Sequence, residues 1–386
     1  MVSIESVAKV ITGKTPPKAD PNCFGGNIPF ITPSELTDSN YLLKPETTLT
    51  EKGLATTKLI PKNSILVCCI GSLGKMAMAD LPVATNQQIN SVIFDEDKIY
   101  YRFGFYALKL LKNELKNIAP STTVAIVNKS RFSELKIPSP PLEEQKRIAA
   151  ILDKAADICQ KREQAIKLAD DFLRATFLEM FGDPVGNPKG WTIASLLEYG
   201  SFKNGMNFSK GESGATLKCL GVGDFKSLAT ITCMDNIGEI ELNTPPSADY
   251  LLNDGDIVFV RSNGNKALVG RCLTIYPGKG KVTFSGFCIR YRIENPSLLP
   301  EYLNFLFRTP SMKQQMLSGG QGANIQNISQ GTLSALRIPV PPLDKQITFA
   351  KLVDFHASIV KKQYDKMAES EKLFNALTGD FFTFNE

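Results

Sequence analysis

The sequence predicts an α+β fold in which two pseudo-symmetric globular heads are joined by two long helices that pack together as a coiled coil. Three observations predict it. A proline-rich junction, "IPSPPLEEQKRIAAILD" at 137–153, returns at an offset of 201 residues as "IPVPPLDKQITFAKLVD" at 338–354. Each junction opens a long stretch without Gly or Pro, Leu142–Phe181 and Leu343–Thr378. Each is preceded by a segment of short apolar runs separated by turn residues, which reads as strands of a mixed domain.

The repeat is an internal duplication. Between 134–153 and 335–354, Leu135, Ile137, Pro138, Pro140, Pro141, Leu142, Gln145, Ala149 and Asp153 recur as Leu336, Ile338, Pro339, Pro341, Pro342, Leu343, Gln346, Ala350 and Asp354. Proline pairs exclude helix interior and favour extended backbone. The last proline of each run suits the first helical position, where its missing N–H costs nothing. Glu143, Glu144 and Asp344 then suit the positive end of the helix dipole. The two helices would be about 60 and 54 Å long, ending at Gly182 and Gly379 in the left-handed closing position.

Each helix carries an apolar seam at alternating spacings of four and three, with polar interruptions at the equivalent positions Arg162 and Gln363. The first seam is Ile148, Leu152, Ala155, Cys159, Arg162, Ile166, Ala169, Leu173, Thr176 and Met180. The second is Phe349, Val353, His356, Val360, Gln363, Met367, Ser370, Phe374 and Leu377. A sustained 3.5-residue period predicts coiled-coil packing of one helix on the other. The alternative is that each helix packs on its own globular segment.

The heads agree in layout more than in residues. Ile4-x-x-Val7 is matched with Ile193-x-x-Leu196, "IPFITPSEL" with "LKCLGVGDF", and "ILVCCIGSLGK" with "IVFVRSNGNKALVG". Residues 100–118 and 300–318 each read as the one clear helix of their head. Like joints with unlike heads suit a protein whose two heads share a scaffold and bind different things.

Bulk properties set bounds. With 386 residues the chain has room for two or three domains. No run of about 18 apolar residues predicts a membrane span. The opening "MVSIESVAKVITGKTPP" lacks the pattern of a signal peptide, so a cytoplasmic location is expected. The eight cysteines contain no C-x-x-C pair, and "SILVCCIGS" reads as a buried strand, which fits free thiols in a reducing compartment. A net charge of +5 permits a nucleic-acid partner without requiring one.

Catalytic motifs are missing. The single histidine, His356, sits on a helix seam, so no Ser-His-Asp, Cys-His or His-based metal site can be built at either head. "TGKT" at 12–15 lacks the earlier glycine of a phosphate loop and runs into two prolines. "GVGDFK" lacks the third glycine of a dinucleotide fingerprint. What remains are basic and amide residues on loops. In the first head these are Lys14, Lys18, Ser72, Lys75, Asn86, Gln87 and Gln88. In the second they are Lys203, Asn207, Lys210, Arg261, Asn263, Asn265 and Lys266, with Gln321, Asn324, Gln326 and Asn327 near the joint. Lys and Arg suit phosphates, and Asn, Gln and Arg suit the edges of adenine and guanine.

The twin "IPxPPL-[E/D]-x-Q" followed by a long helix resembles the specificity subunit of type I restriction-modification systems. "FGDPVGNPKGW" at 181–191 and "ATNQQIN" at 84–90 share the resemblance, which covers essentially the whole chain. It implies target recognition domains at 1–137 and 183–338, a first spacer helix at 138–182, and a second spacer helix with a tail at 339–386. Each head would bind one half of a bipartite site in double-stranded DNA, and the helices would form an antiparallel coiled coil that sets the gap. Two modification subunits, holding S-adenosylmethionine and methylating adenine, would dock on this frame. Restriction subunits using ATP and Mg would join them. The chain itself would be non-catalytic, with no cofactor and no membrane contact. One departure is that Lys345 and Ile347 stand where the first joint has Glu144 and Lys146. Three other readings compete: a fused methyltransferase or nuclease, a two-headed protein-binding scaffold, and an orphan DNA reader.

Overall fold

The computed structural model describes residues 1–38, 41–119, 124–209, 211–225, 229–318 and 327–382. The chain divides into two compact units, Met1–Gln164 with Tyr364–Glu386, and Ala165–Gln363.

In the first unit a four-stranded antiparallel sheet runs in the order Ala8–Thr12, Ile89–Phe94, Ile65–Cys68, Met76–Met78. The strand Ile65–Cys68 is buried at every residue. Ile65 and Val67 enter one core with Phe103, Phe105 and Leu108, while Leu66 and Cys68 enter another with Ile31, Ile60 and Val83. The two-residue period of a strand sends alternate side chains to opposite faces, so a strand covered on both faces must be apolar throughout. A second sheet orders Thr48–Leu49, Phe24–Ile31 and Ala84–Thr85, the last pair parallel.

The second unit repeats this plan. Its sheet runs Gly200–Asn204, Cys288–Ile293, Asp256–Val260, Cys272–Ile275, with Thr230–Ile231 added in parallel at the edge. Ile257 and Phe259 face a core with Tyr302, Leu306 and Phe307; Val258 and Val260 face one with Leu220, Leu252 and Phe284. Its smaller sheet orders Glu239–Leu242, Ala215–Leu220 and Val282–Phe284. Arg292 makes a paired contact with the buried Asp256, at 2.9 and 2.6 Å.

A short antiparallel ladder closes each head at its base. Val2–Ser3 pairs with Lys136–Ile137, and Thr192–Ser195 with Arg337–Val340. The register corrects one expectation. Ser3 faces Lys136, and Ser195 faces Arg337, the repeat of Lys136. The fully buried Leu196 therefore stands where the fully buried Ile4 stands, and Ile193 is 45% exposed. The matched spacing was misleading because Ile193 falls on the solvent face of its strand.

A second expectation is corrected in both heads. Residues 100–118 form two helices, Tyr101–Leu110 and Lys112–Ile118, and residues 300–318 form Pro300–Phe307 and Pro310–Ser318. Pro310 explains the second break, because proline lacks an N–H and biases the residue before it away from helix.

The first long helix spans Leu142–Phe181 and stops at Gly182, whose φ is +79°. The second spans Leu343–Phe382, passing through Gly379. Gly182 is followed by Asp183-Pro184, which forbids continuation, whereas no proline follows Gly379, and a helical glycine costs only about 1 kcal/mol. The helices run antiparallel. In the first unit Arg162 Nη1 donates to the Lys366 carbonyl at 2.5 Å and to the Ser370 hydroxyl. In the second, His356 Nε2 stands 2.9 Å from an Asp170 carboxylate oxygen, and Phe349 packs against Phe177 and Phe181. Both packings weighed from the seams occur. Ile148 and Leu152 are buried in the first head's core, and Leu173, Phe177 and Phe181 in the second head's.

Candidate nucleic-acid interface

In the first head, loops distant in sequence meet at one end of the four-stranded sheet. Gly13 and Lys14 donate backbone N–H groups to the carbonyls of Ile89 and Thr85, at 3.1 and 2.9 Å. The Thr15 hydroxyl donates to Gln87 at 2.6 Å. Gly71 donates to the Ala125 carbonyl, and Val127 to that of Cys69, both at 2.9 Å. Lys14, Lys18, Ser72 and Gln87 are exposed.

The other three candidates of this head are engaged inside the protein. Asn86 is buried; its Nδ2 donates to Gln88 Oε1 at 2.9 Å, and its Oδ1 accepts from the Gln88 N–H at 3.0 Å. Gln88 is half-buried and reaches the Ile70 carbonyl at 3.4 Å. Lys75, also half-buried, donates to the Pro33 carbonyl at 2.8 Å. Short amides in a tight turn satisfy backbone groups that the turn leaves unpaired. Asn86 thus shapes the loop that presents Gln87.

The second head gathers its loops in the same way. Gly205 donates to the Cys288 carbonyl at 3.0 Å, Gly286 to that of Met206 at 2.8 Å, and Ile328 to that of Arg261 at 3.0 Å. Asn207, Arg261, Asn265, Lys266 and Asn327 are exposed. The Asn263 side chain accepts from the Asn265 N–H at 2.7 Å, and Asn265 caps the turn Lys266–Leu268 by accepting from Ala267 at 3.0 Å. Lys203 is half-buried. It pairs with Asp249 at 3.1 Å, lies 4.3 Å from the Tyr250 ring centroid, and holds the Asp249 carboxyl below the usual range. Lys210, Gln321, Asn324 and Gln326 lie outside the described residues.

Sequence reasoning missed a basic cleft in the first head. It has a volume of about 370 Å³ and is lined by Ser72, Lys75, Lys112, Lys116 and Asp38. Lys112 Nζ lies 2.9 Å from Asp38, whose other oxygen accepts from the Met76 N–H at 3.0 Å. The i, i+4 spacing of Lys112 and Lys116 on a helix was the available signal. Also missed were Phe208 and Phe287, 40% and 60% exposed. Hydrophobicity alone assigns a phenylalanine to the core. Among the described residues, no group of three or more His, Cys, Asp or Glu could hold a metal ion, and no helix is long and apolar enough to cross a membrane.

A family profile described as "Type I restriction modification DNA specificity domain" matches residues 1–168 and 220–366. The chain belongs to this family. The DNA-specificity role implied by the two proline–glutamine joints is the one the family is described by. The MjaIX type I restriction enzyme specificity subunit of Methanocaldococcus jannaschii is 26% identical over 285 residues, which cover 67% of this chain and 65% of that protein. The chain thus spans just under two thirds of that relative's length. The MjaVIII specificity subunit of the same organism is 24% identical over 405 residues, covering 96% and 90%. The type I system S subunit of M. genitalium shares the fold, with a TM-score of 0.56 at 17% identity over 100% of this chain and 96% of that one.

Proposed function

We propose that this specificity-family chain selects the DNA site of a type I restriction-modification complex. Each head, taken as 1–137 and 183–338, reads one half of a bipartite duplex site, and the spacer helices at 138–182 and 339–386 fix the gap between the halves. Modification subunits carrying S-adenosylmethionine and restriction subunits carrying ATP and Mg dock on the chain and supply the catalysis. The observation that carries this reading is one fold written twice, with the same backbone turns ending in chemically different side chains. Lys14, Lys18, Lys112 and Lys116 provide phosphate contacts, which position the duplex. Gln87, Asn207, Arg261 and Asn327 provide base-edge contacts, which choose it. Two modest binders on one frame raise each other's effective concentration, so a correct pair is favoured over either half.

The test is co-expression with modification and restriction subunits, followed by mapping of modified adenines in the host genome. A bipartite motif that disappears on deletion of this chain supports the proposal, as does a gap that lengthens when one heptad is added to each helix. A modification pattern independent of the chain overturns it. So does duplex affinity that stays constant between about 50 and 200 mM salt, since phosphate contacts make affinity fall steeply over that range.

A further inference from the structure

We propose that Phe287 reads a thymine through its 5-methyl group, so that the two heads select half-sites by different chemistry. The inference rests on the DNA-reading role above and adds a specificity-determining residue to it.

Phe287 and Gln88 occupy the same place in the two heads. Gln88 offers its carbonyl to the Cys69 N–H at 2.8 Å, and Phe287 offers its carbonyl to the Arg261 N–H at 2.8 Å. The residue after each begins the strand next to the fully buried central one: Ile89 pairs with Cys68, and Cys288 with Val260. Each turn is closed alike, by Ile89 N–H to the Asn86 carbonyl at 3.2 Å and Cys288 N–H to the Ser285 carbonyl at 2.8 Å. The backbone is one design carrying two sets of side chains, Asn86-Gln87-Gln88 and Ser285-Gly286-Phe287.

The side chains lead to opposite outcomes. Gln88 turns its amide inward to Asn86 and Ile70. Phe287 is 60% exposed. The Gly286 N–H donates to the Met206 carbonyl at 2.8 Å, which ties this turn to the loop carrying Asn207. Arg261 is tied directly to Phe287 by the backbone bond, and Asn327 is bridged to Ser262, the next residue. An exposed aromatic ring is thus set among an arginine and two amides, groups suited to phosphates and base edges. In the major groove the apolar feature that distinguishes one base is the methyl of thymine.

The test uses the full chain assembled with its modification subunits. Duplexes are selected from a random pool, and each thymine of the recovered site is then replaced singly by deoxyuridine, which deletes only the methyl. One thymine in one half-site should weaken wild-type binding about three- to fivefold on replacement, the worth of a buried methyl-sized group. Phe287→Ala should bind the thymine duplex more weakly and lose that difference. Phe287→Leu should keep part of it, and Gln87→Ala in the other head should leave it intact. If no thymine shows the effect, or if Phe287→Ala retains it, the inference is overturned while the DNA-reading role stands. Recovery of no preferred duplex overturns both.

Discussion

Gln145 and Gln346 make the same three hydrogen bonds in the two halves of the chain. Gln145 Oε1 accepts from the Tyr100 N–H at 2.8 Å, and its Nε2 donates to the carbonyls of Lys98 and Pro140 at 2.9 and 2.8 Å. Gln346 Oε1 accepts from the Leu299 N–H at 2.9 Å, and its Nε2 donates to Ser297 and Pro341 at 3.0 and 2.8 Å. Both side chains are fully buried. A primary amide is suited to this place because it accepts once and donates twice. It pins the first turn of each long helix to the segment that opens its own head's helix pair.

Replacing Gln145 by Leu should destabilise the chain by about 2–4 kcal/mol, since buried backbone groups are left without partners. Gln145→Glu should be at least as damaging, because a carboxylate cannot donate to the two carbonyls. Gln346→Leu should match Gln145→Leu in size. Chemical denaturation measures each effect. Native hydrogen exchange should show the loosening first at Tyr100 in one variant and at Leu299 in the other.

Phe349→Ala should cost about 3–5 kcal/mol. Its ring meets Phe177, Phe181 and Phe305 at centroid distances of 5.3, 5.5 and 5.1 Å. Phe355, six residues on and 64% exposed, provides the contrast: Phe355→Ala should stay within about 0.5 kcal/mol of wild type. Equal losses in a urea series would contradict the placement of the two rings.

Asp256→Ala should destabilise the second unit by about 3–5 kcal/mol, because it leaves the Arg292 guanidinium largely buried without its carboxylate. Replacing both residues by apolar ones of similar volume should recover much of that loss. The comparison of single and double variants by thermal or urea unfolding separates the broken pair from the cavity.

Lys112→Ala and Lys116→Ala should weaken DNA binding evenly across sequences, each lowering the slope of log affinity against log salt by about one. Gln87→Ala and Arg261→Ala should instead relax the choice of base at single positions, by about 1–3 kcal/mol each. Titrations of selected and scrambled duplexes at several salt concentrations distinguish the two classes.

Alkali should unfold the chain through its thiols. Burial pushes Cys69, Cys219 and Cys272 up to about 12, and raises Cys68 and Cys288 as well. The folded state therefore keeps protons that the unfolded chain releases near pH 9. Stability is intact below that pH and is lost progressively as pH rises toward 12, by at most about 1.4 kcal/mol per unit for each such thiol. Denaturation between pH 8 and 11 measures the slope, and replacing Cys272 by Ala or Val should flatten it. At pH 8 a small alkylating reagent should label the exposed Cys233 far faster than the buried Cys69 or Cys272.

The features legible in the sequence were those with a strong local cause. Proline pairs followed by unbroken heptad spacing located both long helices, and "ILVCC" located a strand covered on both faces. Composition carried no such signal for the break at Leu111, where the chain tightens so that Leu111 N–H meets the Leu108 carbonyl. The correspondence of Ile4 with Leu196 was hidden because it is set by strand pairing with residues 136 and 337, far along the chain. At the loops, residue type identified amides and lysines but not their engagement. Asn86 and Gln87 look alike in sequence; one is buried and locked into its turn by two bonds to Gln88, and the other is exposed. Exposed Phe287 was the least legible, since its exposure depends on how loops pack rather than on its own chemistry.

The ladders at Val2–Ser3 and Thr192–Ser195 have an evolutionary corollary. Each lobe departs from the frame and rejoins it at a single point, with its two ends already side by side. A segment with adjoining ends is a cassette: a replacement needs only two short complementary edges to be accepted. Genetic exchange with breakpoints at the two paired edges of one ladder would transplant an entire lobe and give its bearer a new target in one step.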